Sequence, residues 1–457
     1  MQTVGLIRIT IAAPKRRIDM ALPEHASLAE LLPGLLARAG EGLADEGVPG
    51  GGWQLRRPDG TPFDLGRTLA AHRVRDGEIL HLAGARTNWP EPEYDDIVDA
   101  IATGATHTGQ AWGPRHTRLA SLAVGATTIL LGLIPIPSAG PPWPAAASWA
   151  LGVAGILLIA GVVLARAVGD AEAGAVVAAP ALPFAFAGGG LVLAGGHALT
   201  DLSAGHLILA GVALSAAALV GYLGVVAAQT LFAGAATAGL LAVLGGVLAG
   251  AAGLPGHQAA GVVAAAVLVL SIGFAPLALR LGRVPMPVLP RSTNDLVRND
   301  PQPPIDRVHA AVARADGLLT GMLAGASAVV MCSEVLLTRD GGGGPMTLVA
   351  VLSAGFLLRA RLYPTLRQRI PLLVDGIFGA ACLVVGMVGA MPLVSVGALL
   401  LAVAAGVIAS GVLLGGRAAN PYLGRIAEYS EILLMAAVVP VACWVLGLYG
   451  LVRGLGG

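Results

Sequence analysis

The chain has 457 residues, of which 56% are hydrophobic and only 12% are charged. In soluble globular domains about a quarter of the residues are charged, so this composition excludes an ordinary soluble protein and predicts a chain that crosses a membrane many times. The formal net charge of +1 excludes the strongly basic field of nucleic-acid-binding domains, and we expect no nucleic acid as a partner. The cysteines stand singly in apolar runs, which excludes a zinc ribbon and a disulfide framework.

Residues 1–86 have the pattern of a small α+β domain. Apolar side chains alternate over 6–11 and again over 18–22, as in two strands that each bury one face. Leucines then follow at helical spacing over 28–36. Ser27, just before that run, has a glutamate three residues further on, which is the spacing of a capping box.

The second half of this domain predicts another hairpin and a last strand. Residues 53–57 and 61–65 flank a proline–aspartate–glycine turn, and the strand follows at 74–82. This order, closed by the sequence TLAAHRVRDGEILHL, resembles the ubiquitin-like β-grasp fold. Because the last strand continues through Gly84 into more chain, a docking module is favoured over a conjugated modifier, which needs a free terminal Gly-Gly. The candidate partner-docking residues of this domain are Arg56, Arg57, Arg73 and Arg75.

Residues 87–117 separate this domain from the apolar part of the chain. They contain five acidic residues, and no lysine or arginine occurs before Arg115. We expect this segment to be an acidic cytosolic linker.

Beyond the linker, eleven apolar runs approach the roughly 20 residues that a helix needs to cross a bilayer. Six runs fall in 118–279 and five in 315–453, and the loop of 280–314 between the two sets carries six arginines and several prolines. We therefore predict a polytopic all-α membrane protein with eleven transmembrane helices. The predicted spans are 118–136, 146–165, 174–195, 205–225, 229–251, 258–279, 315–337, 345–359, 371–390, 392–415 and 431–452.

The arginines lie mostly on one side of these spans. With the N-terminus inside, the cytoplasmic flanks from Arg115 onward hold fifteen arginines and the opposite side holds only two, Arg339 and Arg453. Positive residues collect in cytoplasmic loops, so we predict a cytoplasmic N-terminus, an extracytoplasmic C-terminus and a cytosolic loop at 280–314. Arg291 and Arg298 in that loop are two further candidate partner-docking residues.

Almost no ionisable side chain is expected at the centre of the bilayer, where a charge is costly and usually functional. Asp375 lies about a turn from the predicted cytoplasmic start of its span and near the arginines of 359–369, so we expect a structural, ion-paired carboxylate. Glu334 is expected in the outer part of its span, near Arg339. The sequence has no P-loop, no GxSxG and no HExxH motif. We expect neither an enzyme nor a bound cofactor or metal.

Small residues recur within the predicted spans. Three pairs of glycines stand four residues apart, a spacing that lets two helix backbones approach closely. We take them as candidate helix-packing sites: Gly246 and Gly250, Gly321 and Gly325, Gly411 and Gly415.

A ubiquitin-like domain ending in VRDGEILHL, an acidic linker, eleven spans and a long arginine–proline loop after the sixth span together resemble the EccD family. These proteins are integral membrane subunits of the type VII (ESX) secretion machinery of actinobacteria. The resemblance covers essentially the whole chain. It implies a non-enzymatic scaffold of the bacterial inner membrane that is a homodimer surrounded by membrane lipids. It also implies that the cytosolic domain docks other subunits, including an FtsK-like ATPase.

Two other functional hypotheses are alternatives to a secretion scaffold. A secondary transporter with a regulatory β-grasp domain would be expected to have a charge near the middle of the bilayer and matching broken helices in two halves. A membrane enzyme that handles lipid intermediates would need paired polar residues on facing helices. The sequence pattern favours the scaffold over both.

Overall fold

The computed structural model divides into two compact units, Met1–Trp112 and Gly113–Gly457, which we describe separately. Residues 87–111 of the predicted linker and 286–303 of the predicted loop lie outside the part of the chain that the structure describes. The described residues are 5–13, 16–40, 43, 52–58, 61–84, 112–199, 203–285, 304–388, 391–414 and 421–455.

The first unit is a four-stranded mixed sheet with one described long helix. The strand order is β2-β1-β4-β3, in which β1 runs antiparallel to β2 and parallel to β4, and β3 runs antiparallel to β4. The two terminal segments of the domain are therefore adjacent central strands. The elements are β1 (Leu6–Ala12), β2 (Arg17–Pro23), α1 (Leu28–Ala39), β3 (Trp53–Arg56) and β4 (Glu78–Gly84).

The core of this unit lies between one face of the sheet and α1. Ile9 and Ile11 from β1 and Leu80 and Leu82 from β4 are buried, in keeping with the period of two that strands impose on their side chains. Leu35 from α1, only 2% exposed, packs in the same cluster. The alternation in the sequence therefore predicted the buried face of the sheet correctly.

The second predicted hairpin is present but short, and one other detail of the predicted domain is wrong. The segment after the turn forms an antiparallel bridge between Arg56 and Pro62, with the N–H groups of Arg57 and Phe63 donating to the carbonyl oxygens of Thr61 and Leu55 at 3.0 and 2.9 Å, while β3 also pairs with β4. Ser27 precedes α1, but its side chain makes no capping hydrogen bond. Instead, the first free N–H groups of the helix, on Leu28 and Ala29, donate to carbonyl oxygens of the loop at 65–67, at 3.1 and 2.8 Å. A tertiary contact thus replaces the local cap.

We predict that residues 1–86 fold as an isolated fragment and that Leu35→Ala lowers its free energy of unfolding by about 2–5 kcal/mol, because the change leaves a cavity in a closed core. The control is Leu6→Ala, since Leu6 is 59% exposed, and we expect a change within about 0.5 kcal/mol. Urea denaturation followed by circular dichroism measures both. Equal stability of the two variants would contradict the assignment of this core.

The second unit is helical. Its helices, in chain order, are α2 (Pro114–Leu131), α3 (Pro135–Ser138), α4 (Pro144–Val163), α5 (Ala171–Ala178), α6 (Ala181–Leu191), α7 (Ala204–Gly224), α8 (Gln229–Ala251), α9 (Gly256–Leu270), α10 (Phe274–Leu281), α11 (Ile305–Asp340), α12 (Gly343–Ala360), α13 (Leu366–Met387), α14 (Leu393–Leu414), α15 (Pro421–Val445) and α16 (Leu448–Leu455).

Within the described residues, ten helical segments are long and apolar enough to cross a membrane. Some of them join two of these helices, such as the segment Gly256–Leu281, which contains α9 and α10. The predicted span at 392–415 corresponds to α14, which has 22 residues; the described apolar part, Leu393–Ala409, is shorter than a span. The structure thus shows ten candidate spans, and the count of eleven stays a prediction.

The helix α11 begins inside the segment predicted to be a loop. It has 36 residues and is therefore about 54 Å long, well beyond the roughly 30 Å hydrocarbon core of a bilayer. Its first ten residues carry charges that are unsuited to lipid, yet they include several alanines and arginines, which favour a helix. Charge marks the end of a membrane span, but it does not mark the end of a helix.

Buried side chains in this unit form two clusters. One gathers residues from α3 to α8 around Trp143, Phe184 and Phe232, and the other gathers residues from α9, α11, α12, α13 and α15. Many large apolar side chains point outward instead; Ile156 and Ile159, for example, are 68% and 67% exposed. This inverted arrangement suits a protein whose outer surface meets hydrocarbon, with small residues at the helix contacts.

Candidate helix-packing and partner-docking sites

Gly321 and Gly325 of α11 lie directly against α8. A Cβ atom on Gly325 would overlap the carbonyl group of Gly234, and a Cβ atom on Gly321 would lie 2.9 Å from the Cβ of Ala233 and 3.0 Å from the Gly234 nitrogen. Real Cβ atoms do not come this close to another backbone. The two helices therefore touch through their main chains at this point.

Gly246 and Gly250 of α8 face α7. A Cβ atom on Gly246 would lie 2.7 Å from the Cγ1 of Ile208 and 3.0 Å from the carbonyl oxygen of Ala204, whereas at Gly250 the nearest contact is an ordinary 3.4 Å. The surroundings of the third predicted pair, Gly411 and Gly415, lie outside the described part of the chain.

Sequence reasoning missed two further close glycine contacts. Gly211 of α7 and Gly239 of α8 face each other reciprocally, and a Cβ atom on either would lie 2.6 or 2.7 Å from the carbonyl oxygen of the other. Gly161 of α4 and Gly174 of α5 form a similar pair. None of these four has a second glycine four residues away, but the wider pattern of two small residues at that spacing, as in Gly211-x3-Ser215, would have found them.

Of the predicted docking arginines, Arg56 and Arg57 are engaged within the first unit. Arg57 pairs with Glu78 at 3.0 Å, donates to the carbonyl oxygen of His72 at 2.7 Å and lies over the ring of Phe63. The Nε and Nη2 atoms of Arg56 are buried without a hydrogen-bond partner in the described residues. Arg57 therefore supports the fold of the domain, and the burial of both side chains leaves little of them accessible to a partner.

Arg73 and Arg75 are exposed on the turn that leads into β4. Arg73 has a positive φ of 51°, and the backbone N–H of Arg75 donates to the Glu78 carboxylate at 2.8 Å, so the turn holds both residues in place. The structure thus brings two of the predicted arginines together on an accessible surface. Arg291 and Arg298 lie outside the described residues.

A buried ion-pair cluster joins α12 to α15. Arg359, 2% exposed, lies 3.4 Å from one carboxylate oxygen of Glu431, and Arg361 lies 2.9 Å from the other. Arg359 also donates to the carbonyl oxygen of Leu268 at the end of α9. In the turn that follows α12, burial raises the pKa of the Tyr363 phenol, so that side chain stays neutral. The ion pairs thus connect α12 with α15, and the hydrogen bond from Arg359 connects α12 with α9.

The structure contradicts the expected environment of Asp375. Asp375 is fully buried, and within the described residues neither of its carboxylate oxygens has a hydrogen-bond or ion-pair partner. The arginines expected to pair with it are turned toward Glu431 and toward backbone carbonyls such as that of Tyr363. Glu334 is likewise fully buried, with both carboxylate oxygens unpartnered among the described residues. An unpaired acidic pair inside the helices was not foreseen.

These features define a class: a polytopic membrane protein whose N-terminal part is a small ubiquitin-like domain. Residues 6–82 match the family described as WXG100 protein secretion system (Wss), protein YukD. Residues 117–455, well over half of the chain, match the family described as EccD-like transmembrane domain, and the chain belongs to that family. The resemblance drawn from the sequence is confirmed. Within the described residues no three histidine, cysteine, aspartate or glutamate side chains are grouped so as to hold a metal ion.

Related proteins and structures match this chain over part or nearly all of its length. The ESX-4 secretion system protein eccD4 of Mycobacterium tuberculosis is 28% identical over 479 aligned residues, which cover 99% of this chain and 98% of that protein. The ESX-3 secretion system protein EccD3 of the same species is 29% identical over 133 residues, 28% of each chain. A chain of protomer 1 of the ESX-3 core complex superposes with a TM-score of 0.59 at 23% identity, covering 98% of this chain and 100% of that one. A chain of the MycP5-free ESX-5 inner membrane complex superposes with a TM-score of 0.54 at 18% identity, covering 90% and 100%. At these identities the two superpositions establish the fold.

We predict that Gly325→Ala destabilises the second unit by about 1–3 kcal/mol, because the added methyl group would overlap the Gly234 carbonyl and force α8 and α11 apart. The matched control is Gly155→Ala in α4, where nothing lies within 4 Å of the new atom. The control is expected to hold or raise stability, since alanine favours a helix over glycine by about 1 kcal/mol. Thermal unfolding of the detergent-purified protein compares them, and a stabilised Gly325→Ala variant would refute the close contact.

We predict that Glu431→Gln destabilises the protein by about 3–5 kcal/mol, because it leaves the buried Arg359 guanidinium without its counter-charge. Glu428→Gln is the control, since Glu428 lies on the same helix and is exposed. Thermal unfolding in one detergent and at one pH measures the difference. If the two variants unfold together, the cluster does not hold α12 and α15 to each other.

Proposed function

We propose that this chain is a non-enzymatic membrane scaffold and channel-forming subunit of a type VII (ESX) protein secretion complex. The observation that carries the proposal is the end-to-end match to eccD4, a protein named as part of the ESX-4 secretion system, which covers both the small domain and the membrane unit. The fold shared with chains of the ESX-3 and ESX-5 complexes supports it further. A subunit that holds others together needs surfaces for docking and packing rather than a catalytic site.

The N-terminal domain is proposed to dock other subunits, including an FtsK-like ATPase. The sequence contains no P-loop motif, so energy for secretion has to come from a partner that binds ATP. The exposed Arg73 and Arg75 suit a partner surface that carries carboxylates, because guanidinium groups form two-pronged hydrogen bonds with them. The loop at 280–314, with Arg291 and Arg298, is a second proposed docking element on the same side of the membrane.

The protein is proposed to lie in the bacterial inner membrane with its N-terminus in the cytoplasm and its C-terminus outside. The distribution of arginines, fifteen against two, supports this orientation together with eleven spans, of which α14 would be the tenth. In α14 the apolar side chains of Leu393 and Val394 are 85% and 83% exposed. Such a surface fits membrane lipid or a second copy of the chain, and we propose a homodimer.

A secondary transporter with a regulatory β-grasp domain is the second candidate. The observation that favours it is the buried, unpaired Glu334 and Asp375, since an ionisable residue within a membrane span often marks the path of a substrate or ion. The match of the whole chain to a secretion subunit favours the scaffold.

We predict that reversing both exposed charges, Arg73→Glu with Arg75→Glu, lowers the amount of the ATPase subunit that copurifies from native membranes about tenfold, which corresponds to a loss of about 1.4 kcal/mol in binding. The side chains face solvent, so the domain stays folded. Arg38→Glu, an exposed position on α1, is the control and is expected to leave copurification unchanged.

Deleting residues 1–86 is expected to abolish copurification while the membrane unit still inserts. Full recovery of the ATPase subunit with the truncated protein would refute docking through this domain. Uptake of a small solute by liposomes that contain only the purified chain would replace the scaffold with the transporter.

A further inference from the structure

A line of polar side chains runs along one side of α11. Asp316, Thr320, Ser327 and Glu334 project within about 40° of one another when residues advance by 100° along a helix. At one end of the line, Asp316 accepts a hydrogen bond of 2.6 Å from Gln368 of α13. At the other end, the Glu334 carboxyl packs against α13 as well. The line therefore meets α13 at both of its ends, and helical geometry places Thr320 and Ser327 on the same side between them.

The facing side of α13 carries a matching line. Gln368, Asp375 and Cys382 follow one another at intervals of seven residues and are all buried. Gly379, against which the Glu334 carboxyl packs, lies one helical turn after Asp375, so the two acidic side chains meet at the same part of α13. A Cβ atom on Gly379 would lie 2.9 Å from the Glu334 Cδ, which shows that this glycine leaves room for the carboxyl group. We call the two lines together the α11–α13 seam.

Both members of the acidic pair lie within the helices. Asp375 is about 14 Å from the start of α13 and about 18 Å from its end. Glu334 is six residues from the end of α11, about 9 Å along its axis, and its side chain is nevertheless fully buried.

No counter-charge faces the pair from the described parts of the elements packed around it. Arg359 of α12 and Arg361, which follows α12, form ion pairs with Glu431 of α15. The α12 residue that does reach α13 is Ser353, whose hydroxyl donates to the Gly376 carbonyl oxygen at 2.6 Å.

The other neighbouring elements supply none either. On α9, His257 pairs with Asp340 at the end of α11, at 3.2 Å, and Arg339 beside it is exposed. The C-terminal end of α10, which carries Arg280, contacts α11 near Ala315, nineteen residues before Glu334. Helix α8 has no titratable residue and packs on the glycine side of α11, about 180° from Glu334.

Two buried hydroxyl groups along the seam have no hydrogen-bond partner among the described residues, which is an observation independent of the acidic pair. Ser333 and Thr338 of α11 donate to carbonyl oxygens four residues back, at 2.9 and 2.7 Å, as hydroxyls in membrane helices commonly do. Ser327 and Thr320, on the seam side, make no such bond and are buried with their oxygens unpartnered in the described chain. Ser327, 2% exposed, thus lies on the seam side of α11 with the hydrogen-bonding capacity of its hydroxyl unused among the described residues.

We propose that Glu334 and Asp375 form a proton-binding site within the membrane unit. Two adjacent carboxylates in an apolar interior are too costly to remain charged without a partner, and protonation removes that cost. When the site releases a proton, a carboxyl O–H bond breaks, the electron pair stays on the carboxylate and the proton passes to a water molecule. The hydroxyls of Ser327 and Thr320 lie on the same side of α11 as Glu334, between the pair and the Asp316–Gln368 hydrogen bond.

A proton suits this site better than a metal ion. Ca²⁺ takes six to eight oxygen ligands, whereas the seam offers two carboxyl groups and isolated hydroxyls, and the carbonyl groups of the two helices are used within them. The site does not depend on which subunits dock to the protein. It makes the packing of α11 against α13 sensitive to the protonation of the pair.

Infrared difference spectroscopy of the full-length protein in lipid nanodiscs tests the proposal. Exposed carboxylates are ionised at pH 7, so a carboxylic-acid carbonyl band present at pH 7, shifted in D2O and lost at higher pH, is expected from the pair. Glu334→Gln and Asp375→Asn are each expected to remove part of the band, and the double variant all of it. Glu428→Gln, an exposed carboxylate on α15, is expected to leave it unchanged.

Absence of the band at pH 7, its survival in the double variant, or its response to Na⁺ at constant pH would overturn the proposal, the last in favour of a cation site. A second measurement needs no variant. A hydrophobic carbodiimide reacts with protonated carboxyl groups, so peptide mapping of the wild-type protein is expected to find the adduct on Glu334 or Asp375, and less of it as the pH rises. Labelling that is confined to other carboxyl groups would also refute the site.

Discussion

Main-chain contact between helices is the interaction on which the membrane unit depends. Hydrocarbon surrounds the protein as readily as it would surround a separated helix, so burial of apolar surface does not by itself drive helices together within a bilayer. Close van der Waals contact does, and α8 supplies it on two sides, through Gly239 against Gly211 of α7 and through Gly234 against Gly325 of α11. Helix α8 thereby connects the helices of the first buried cluster with those of the second. Methyl groups at these positions would separate the two halves of the unit.

Buried charged groups distinguish the helices of the second buried cluster from those of the first. The Arg359–Arg361–Glu431 cluster satisfies its charges internally and holds α12 to α15, which makes it a structural feature. The acidic pair in the α11–α13 seam has no such compensation among the described residues. One helix, α12, lies between these two arrangements and contacts both, through Arg359 and through Ser353. A change in the charge of the seam therefore acts on the same group of helices that the ion-pair cluster fixes.

The small N-terminal domain shows where local sequence patterns are sufficient. Alternation along β1 and β4 predicted the buried isoleucines and leucines, because a strand turns successive side chains to opposite faces. The turn motif predicted the short pairing of β3 with the segment that follows it, but not the pairing of β3 with β4, which is distant in sequence and buries Leu55 and Leu82 together. The capping box at Ser27 failed for a related reason: a loop distant in sequence already satisfies the helix terminus.

The sequence by itself determined the class of protein, the positions of most spans, the family and the face of each strand in the core. These features follow from composition, from hydropathy over about 20 residues and from short periods, all of which are properties of neighbouring residues. Only the tertiary structure decided which glycines meet another backbone, which arginines reach Glu431 and that Asp375 lies beside Glu334. A helix presents every direction around its axis, so spacing shows which residues share a face but not which helix lies opposite. Asp375 was near arginines along the chain, yet α13 buries its carboxyl group without any of them as a partner among the described residues.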